Sequence, residues 1–401
     1  MFPTIGNYNQ TIQNKGSTAF KTLTNLSFVS SKTDPIKVFL FGSGSYAVVF
    51  KAHQNDMNFA IRCFLSAEQE TIIRYKAICD YLKSVNANWK SDSQFLENEI
   101  NVNGIFYPIL KMEWIEGVLI NQFVSSNLMN EHSLYMLQKQ LVEVSDSLEQ
   151  HKVGHGDLQC GNIIVQGTPS NFKIRLIDYD GMFVPSLTSM RSIENGRSEF
   201  QHPNRTPYYF NYDIDRFSFW VLLTALEALK FDTTFWKEVM QGGYNTLDNF
   251  LFTISDFRNT SQSKLFNQLQ QINEPSLTFY TDKLKLFCTL DDISQIDKPI
   301  LYKQGSIDVQ HIYIPPEHFR YLPTSNTTQP VVSVNGKVTI ISNKDGASVL
   351  TSNFQKLGIT PLILDQQIYE GKSLLISNGK ETKRITVSKN ESIIEINFSV
   401  L

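Results

Sequence analysis

Hydrophobic positions change their spacing several times along this chain. In IKVFLFGSGSYAVVFKAHQNDMNFAIRCF (36–64), β-rich runs broken by a Gly turn and by Asn55-Asp56 predict three strands of a small antiparallel sheet. Residues 67–85 then place Ile72, Ile73, Ala77, Ile78, Leu82 and Val85 at helical spacing among Lys and Glu, the mark of an amphipathic helix. A polar loop follows, and GIFYPILKMEWIEG (104–117) returns to strand character. From about residue 120 longer helices take over, clearest at 133–150 with Leu134, Leu137, Leu141, Val144 and Leu148 on one face, again at 214–229, and less clearly to about 300. They are interrupted by NIIV (162–165) and FKIRLID (172–178), which flank a Gly-Thr-Pro-Ser turn and predict a buried hairpin. The last 70 or so residues carry short alternating runs such as KVTIIS, PLIL, SLLIS and SIIEINF, predicting a small all-β domain, with PTSNTTQP (323–330) as its linker. Residues 1–34, rich in Asn, Thr, Ser and Gln, show little periodicity and predict an extension that wraps a neighbour or stays mobile. The fold class expected is therefore α+β with an appended all-β domain.

Composition narrows what such a chain can be. Its 401 residues suit two or three domains, and a 41% hydrophobic content with 12% aromatics supplies a real core. A formal charge of −3 removes the whole-chain electrostatic reason to expect nucleic-acid or anionic-membrane binding. FSFWVLLTALEAL (217–229) is too short to span a bilayer and predicts a buried helix, so no membrane span is expected. The first residues have neither a basic start nor an apolar run, which points to the cytoplasm. Cys63, Cys79, Cys160 and Cys288 lack the short paired spacings of zinc sites or disulfide frameworks and are expected as reduced thiols.

Three segments carry candidate chemistry. Gly42-Ser43-Gly44 lies between two strands, where absent side chains let backbone N–H groups approach a polyphosphate; a plain hairpin turn is the alternative. Beside it, Tyr46 would cap the phosphates, Val49 would cover a purine, and Ala60 and Arg62 would point an aliphatic wall and a cation into one cleft, unless Arg62 is a surface charge on an edge strand. Phosphoryl transfer needs a carboxylate to orient the attacking hydroxyl and oxygen ligands for Mg²⁺. HGDLQCGN (155–162) and LIDYDG (176–181) supply Asp157, Asn162 and Asp178, and antiparallel pairing of the hairpin brings Asn162 and Asp178 to one end. An Asp-rich loop with structural hydrogen bonds is the bland alternative.

In order and content these segments resemble the protein-kinase family over residues 36–230: GSGSYAVVF for the Gly-rich loop, FAIR for the strand that bears the phosphate-binding cation, MEWIEG for the hinge, HGDLQCGN for the catalytic loop and DYD for the metal-binding motif. QHP (201–203) resembles the end of an activation segment, and DIDRFSFW (213–220) the central helix whose Asp braces the catalytic loop. HGDLQ with IDYDGMFVP is similar to a group of bacterial kinase-like proteins. The resemblance implies a bilobal fold with an N-lobe at 35–116, a C-lobe at 117–322, a linker at 323–335, and ATP with Mg²⁺ in the cleft. It implies Asp157 as catalytic base, Asn162 and Asp178 as metal ligands, and Gly42 and Gly44 over the phosphates, with Arg62 as the phosphate-binding cation. Met112 becomes the gatekeeper, Glu113 and Ile115 bind adenine through their backbone, and Val49, Ala60 and Ile164 sandwich the ring. The reaction implied is transfer of phosphate to Ser or Thr of a protein.

The chain departs from that pattern at Arg62 for Lys, Ala47 for the third glycine, Gly156 for Arg, Gln159 for Lys and Asp180 for Gly. Asp180 is expected to cap the next turn, although a metal ligand is the alternative. A helix acid should pair with the strand cation, and Glu68 and Glu70 are the acids in the first turns of the helix at 67–85. Arg62 and Gln159 favour a pseudokinase scaffold as the rival reading. A third reading is a small-molecule phosphotransferase, which shares His-Gly-Asp and Ile-Asp-Tyr-Asp. Residues 336–401 resemble PEGA-type β-sandwiches through Gly346-Ala347, Gly358-Ile359-Thr360-Pro361 and Glu370-Gly371, which implies a protein-binding or spacer domain.

Overall fold

The computed structural model describes residues 2–29, 40–43, 46–236 and 249–303, together with seven strands between 337 and 396. The chain forms two compact units, Met1–Val309 and Gln310–Leu401. The expected linker, 323–335, lies outside the described residues, as does Gly44.

The first unit opens with helix α1 (Ile5–Lys15) and strand β1 (Ser27–Phe28), followed by β2 (Leu40–Ser43), β3 (Ala47–Gln54), β4 (Met57–Phe64), β5 (Ser93–Val102) and β6 (Ile105–Glu113). These strands make one antiparallel sheet in the order β1-β3-β4-β6-β5, with β2 also on β3. Both central hairpins turn through residues with positive φ, Asn55 and Asp56 between β3 and β4, and Asn103 and Gly104 between β5 and β6, as two-residue hairpin turns require. β5 occupies the stretch that the sequence reads as a polar loop. Its Asn-Gly turn was the available signal, but Ser, Gln, Glu and Asn hide the strand's alternation.

Period-two alternation gives β3 and β4 two distinct faces. Val48, Phe50, Ala52, Ile61 and Cys63 are fully buried on one of them, in a cluster with Tyr8, Ile12, Phe20, Leu23 and Leu26 from the amino-terminal segment. Of the two expectations for residues 1–34, an extension that wraps a neighbour or one that stays mobile, residues 2–29 follow the first and pack onto the sheet, and 30–34 lie outside the described residues. Thr4 caps α1 by accepting from the Asn7 backbone N–H at 3.2 Å while Asn7 Oδ1 accepts from the Thr4 N–H at 3.0 Å, a reciprocal capping box. The Tyr8 hydroxyl donates to the Phe64 carbonyl at 2.8 Å. Buried Glu99, on β5, accepts from the backbone N–H groups of Thr22 and Leu23, each at 2.7 Å.

Helix α2 (Gln69–Leu82) joins the sheet to the helical part of the unit. Its Tyr75 and Cys79 pack with Phe64 and Leu110, whereas Ile78 and Leu82 enter the large core below. That core is built around α3 (Ile120–Asn127), α4 (Glu131–Gln150), α5 (Arg216–Phe231), α6 (Ile254–Arg258), α7 (Lys264–Gln271) and α8 (Pro275–Cys288). A three-stranded sheet β7-β8-β9 (Val118–Leu119, Ile163–Thr168, Asn171–Leu176) lies against it. α5 is buried on all sides from Phe217 to Leu229, which is why its sequence is apolar all round. Among the described residues no helix is long and apolar enough to cross a membrane.

Among the described residues the second unit forms two sheets. Strands β10 (Lys337–Ser342), β13 (Leu362–Asp365) and β16 (Ile393–Ile396) form one, with β10 antiparallel to β13 and parallel to β16. The other, wholly antiparallel, runs β12-β11-β14-β15 (Lys356–Ile359, Ser348–Thr351, Ser373–Ser377, Thr382–Thr386). Ile340, Val349, Leu374 and Ile376 are buried within the unit. The whole is a mixed α+β protein.

Candidate functional site

The other face of the first sheet meets the β8–β9 hairpin across a cavity of about 520 Å³. Strand register places its roof: Val49 pairs with Arg62 between β3 and β4, and Ala60 pairs with Met112 between β4 and β6. Val49, Ala60, Met112, Glu113 and Ile115 line one side, with Gly42 and Tyr46 at its edge. The opposite wall comes from Asn162, Ile164, Ile177 and Asp178. The hairpin explains that wall. Ile163 pairs with Leu176, and the Ile177 N–H donates to the Asn162 carbonyl at 3.0 Å, so the ladder ends with Asn162 and Asp178 side by side.

Asp157 lies beside this cavity and is joined to it by Asn162, whose Nδ2 donates to the Asp157 carbonyl at 2.8 Å and to Oδ2 at 3.0 Å. Gln159 Nε2 donates to the same carboxylate at 3.2 Å, and the Arg197 backbone N–H donates to Oδ1 at 2.8 Å. With its amide nitrogen spent in this way, Asn162 keeps Oδ1 as the atom to offer a cation. The loop is braced from beneath by Asp215, buried at the start of α5, which accepts from the backbone N–H of His155 at 2.5 Å and of Gly156 at 2.9 Å. Burial pushes the Asp215 carboxyl above its usual range, against the pull of His155, those two N–H donors and Arg205. His155 is fully buried, with Nε2 2.9 Å from the Ile177 carbonyl, a structural placement. Cys160 is buried too, and burial raises its thiol pKa, so it is an inert thiol.

Arg62 is not a surface charge. Its strand β4 lies between β3 and β6, and its side chain is 16% exposed. Its guanidinium meets Asp180 through two contacts, Nη1 to Oδ1 at 2.7 Å and Nη2 to Oδ2 at 2.5 Å, and Asp178 through Nη1 at 3.2 Å. Asp180 therefore pairs with the strand cation, where the sequence suggests a turn cap. Glu70 pairs instead with Arg74 on its own helix, at 2.7 Å. Burial works to lower the Arg62 pKa, but Asp180, Tyr75 and Asp178 outweigh it and the net shift is upward.

Between these aspartates Tyr179 anchors the loop. Its hydroxyl accepts from the Ser91 N–H at 2.7 Å and donates to the Leu176 carbonyl at 3.0 Å. Asp178 itself takes a left-handed φ of 62°, a conformation that Asp, with Asn, adopts more readily than other residues with a side chain. Burial, and then Asp180, hold its carboxyl up to about 6 although Arg62 pulls the other way. Glu194, which no motif pointed to, joins the group: burial, then Asp157, Asp180 and Asp178, hold it up to about 7.

The structure thus gathers an apolar slot, a cation and several carboxylates at one place. Such a set can hold a flat aromatic ring, an anion and a divalent cation. Among the described residues no three His, Cys, Asp or Glu form a metal cluster, so a cation here would rest on Asp178, Asn162 Oδ1 and ligands brought by a bound molecule. Compared with known proteins, the chain matches no family model and no curated sequence.

Proposed function

We propose that the first unit is a bilobal, protein-kinase-like phosphotransferase that takes ATP with Mg²⁺ and passes phosphate to a Ser or Thr of a protein. What carries the reading is the convergence of Gly42, Arg62, Met112, Asn162 and Asp178 on one cavity although they lie in distant segments. Val49, Ala60 and Ile164 suit the two faces of adenine, with Met112 at the back and the Glu113 and Ile115 backbone along its edge. Arg62 would meet the phosphates. Asp178 and Asn162 would hold Mg²⁺, which neutralises phosphate charge when bound. Asp157 would orient the acceptor hydroxyl and take its proton as the new O–P bond forms and ADP leaves. For the second unit we propose a PEGA-like β-sandwich with a protein-binding or spacer role.

One observation favours a second reading, a pseudokinase that binds nucleotide without turnover. Arg62 is already paired with two carboxylates, and the Asp157 carboxylate accepts three hydrogen bonds from the chain itself. Calorimetry of ATP with and without Mg²⁺ on the wild type and Asp178→Asn, followed by radiolabel transfer with Asp157→Asn as control, separates the two. Mg²⁺-dependent binding that needs Asp178, with label on protein that Asp157→Asn abolishes, is the result expected. Binding without transfer supports the pseudokinase, label on a small acceptor supports a small-molecule transferase, and no binding overturns the nucleotide site.

A further inference from the structure

A cation on the roof of a phosphate site needs a counter-charge that fixes its head group, since a loose guanidinium would give up entropy on every binding event. The sequence leaves that partner to Glu68 or Glu70 on α2, and the structure uses neither. Glu70 accepts from Arg74 Nε at 3.1 Å and from Nη2 at 2.7 Å, and Arg74 is buried, with Nη2 also donating to the Arg191 carbonyl. Drawing Glu70 toward Arg62 would leave Arg74 as a buried cation without its carboxylate, a costly arrangement.

Asp180 meets Arg62 fork to fork, the geometry that fixes a guanidinium in both position and plane. The pair is shielded, with side chains 16% and 22% exposed. Helix α2 contributes a phenol in place of a charge: the Tyr75 ring lies 5.8 Å from the Arg62 guanidinium and its hydroxyl faces the Asp180 carboxylate. Two carboxylates take three of the guanidinium's five N–H donors, leaving donors over for an anion.

We propose that Asp180 is the positioning residue of Arg62, doing from the metal-side loop what the sequence would assign to an acid on α2; this rests on the nucleotide-site reading above. The β4 cation and the metal-side carboxylate Asp178 are then tied together by one loop, which carries both Asp178 and Asp180, and keep their relation when α2 shifts. The fork also explains why Arg stands at 62, because a lysine ammonium has no plane for Asp180 to fix.

The test is Mg²⁺·ATP calorimetry on full-length wild type, Arg62→Gln, Asp180→Asn, Asp180→Glu, Glu70→Gln and the Arg62→Gln/Asp180→Asn double variant, with melting curves to confirm folding. We expect Asp180→Asn to weaken binding about tenfold or more and Glu70→Gln to stay within about twofold of wild type. We also expect the double variant to be no weaker than Arg62→Gln alone, and Asp180→Glu to recover part of the loss. A purely structural role for Asp180 would lower the melting point without that non-additivity. Should Asp180→Asn fold poorly, Tyr75→Phe, which removes only the hydroxyl facing Asp180, is expected to weaken binding in the same direction. Wild-type binding that survives Asp180→Asn, additive losses in the double variant, or an equal loss in Glu70→Gln overturns the role of Asp180 alone. Wild type that binds no ATP overturns the nucleotide site, and this role with it.

Discussion

Tyr8 offers the sharpest test of how the amino-terminal segment contributes. Its side chain is fully buried between α1 and the sheet, and its hydroxyl donates to Phe64 at 2.8 Å. Tyr8→Phe keeps the ring and deletes one buried hydrogen bond, at a cost of about 1–3 kcal/mol. Tyr8→Ala also empties an aromatic-sized site in the cluster that holds Phe50, Ile61 and Cys63, and large aromatic truncations cost about 3–5 kcal/mol. The order of stability should be wild type, then Phe, then Ala, and deletion of residues 1–19 should be at least as damaging as Ala because it also strips Ile12 and Ala19 from the cluster. For a unit of about 300 residues, with an unfolding entropy of about 2.1 cal/mol/K per residue, each kcal/mol moves the melting point by about 1.5 °C, so Tyr8→Ala should fall by about 5–8 °C. Urea unfolding of the first unit, followed by circular dichroism, checks the free energies. If the truncated chain and both variants unfolded at the wild-type midpoint, the segment would contribute nothing and the packing argument would be wrong.

Two further outcomes follow from the site. In Asp215→Asn one amide oxygen faces two backbone donors, so the His155 or Gly156 N–H loses its acceptor at about 1–3 kcal/mol; faster amide exchange at Gly156 is expected, and unchanged exchange would show that the brace is dispensable. Asp178 at about 6 and Glu194 at about 7 both lie above their unfolded values of roughly 3.9 and 4.3. The folded chain therefore binds more protons across that window, and these groups make stability fall as pH rises from about 4 to 7. The ceiling is about 1.4 kcal/mol per pKa unit, and it is lowered by screening because the Asp178 side chain is 49% exposed. Melting points between pH 5 and 7.5 should slope less in Glu194→Gln than in wild type, and equal slopes would refute the assignment.

How much of this was legible beforehand depended on whether the cause was local. β3 and β4 could be read because one face is wholly buried, which forces apolar and polar residues to alternate. Asn162 and Asp178 could be placed together because antiparallel pairing of a short hairpin leaves little choice. α1 was missed because the buried stripe at Tyr8 and Ile12 is narrow and set among Asn and Gln; the Thr4–Asn7 box was its one local sign. β5 was missed for its polar composition. The partner of Arg62 was out of reach for a different reason. Glu70 and Asp180 are equally acidic in the sequence, and only the buried Arg74 four residues along α2 decides which of them is spoken for.

The Arg62 fork also has a meaning for chemical profiling. Acylating nucleotide reagents mark ATP sites by transferring their acyl group to a lysine amine near the phosphates. No lysine lines this cavity among the described residues, and a guanidinium paired with carboxylates stays protonated and unreactive. On the proposed nucleotide reading, a survey built on such reagents would pass over this chain, and reversible binding is the measurement that would detect ATP there.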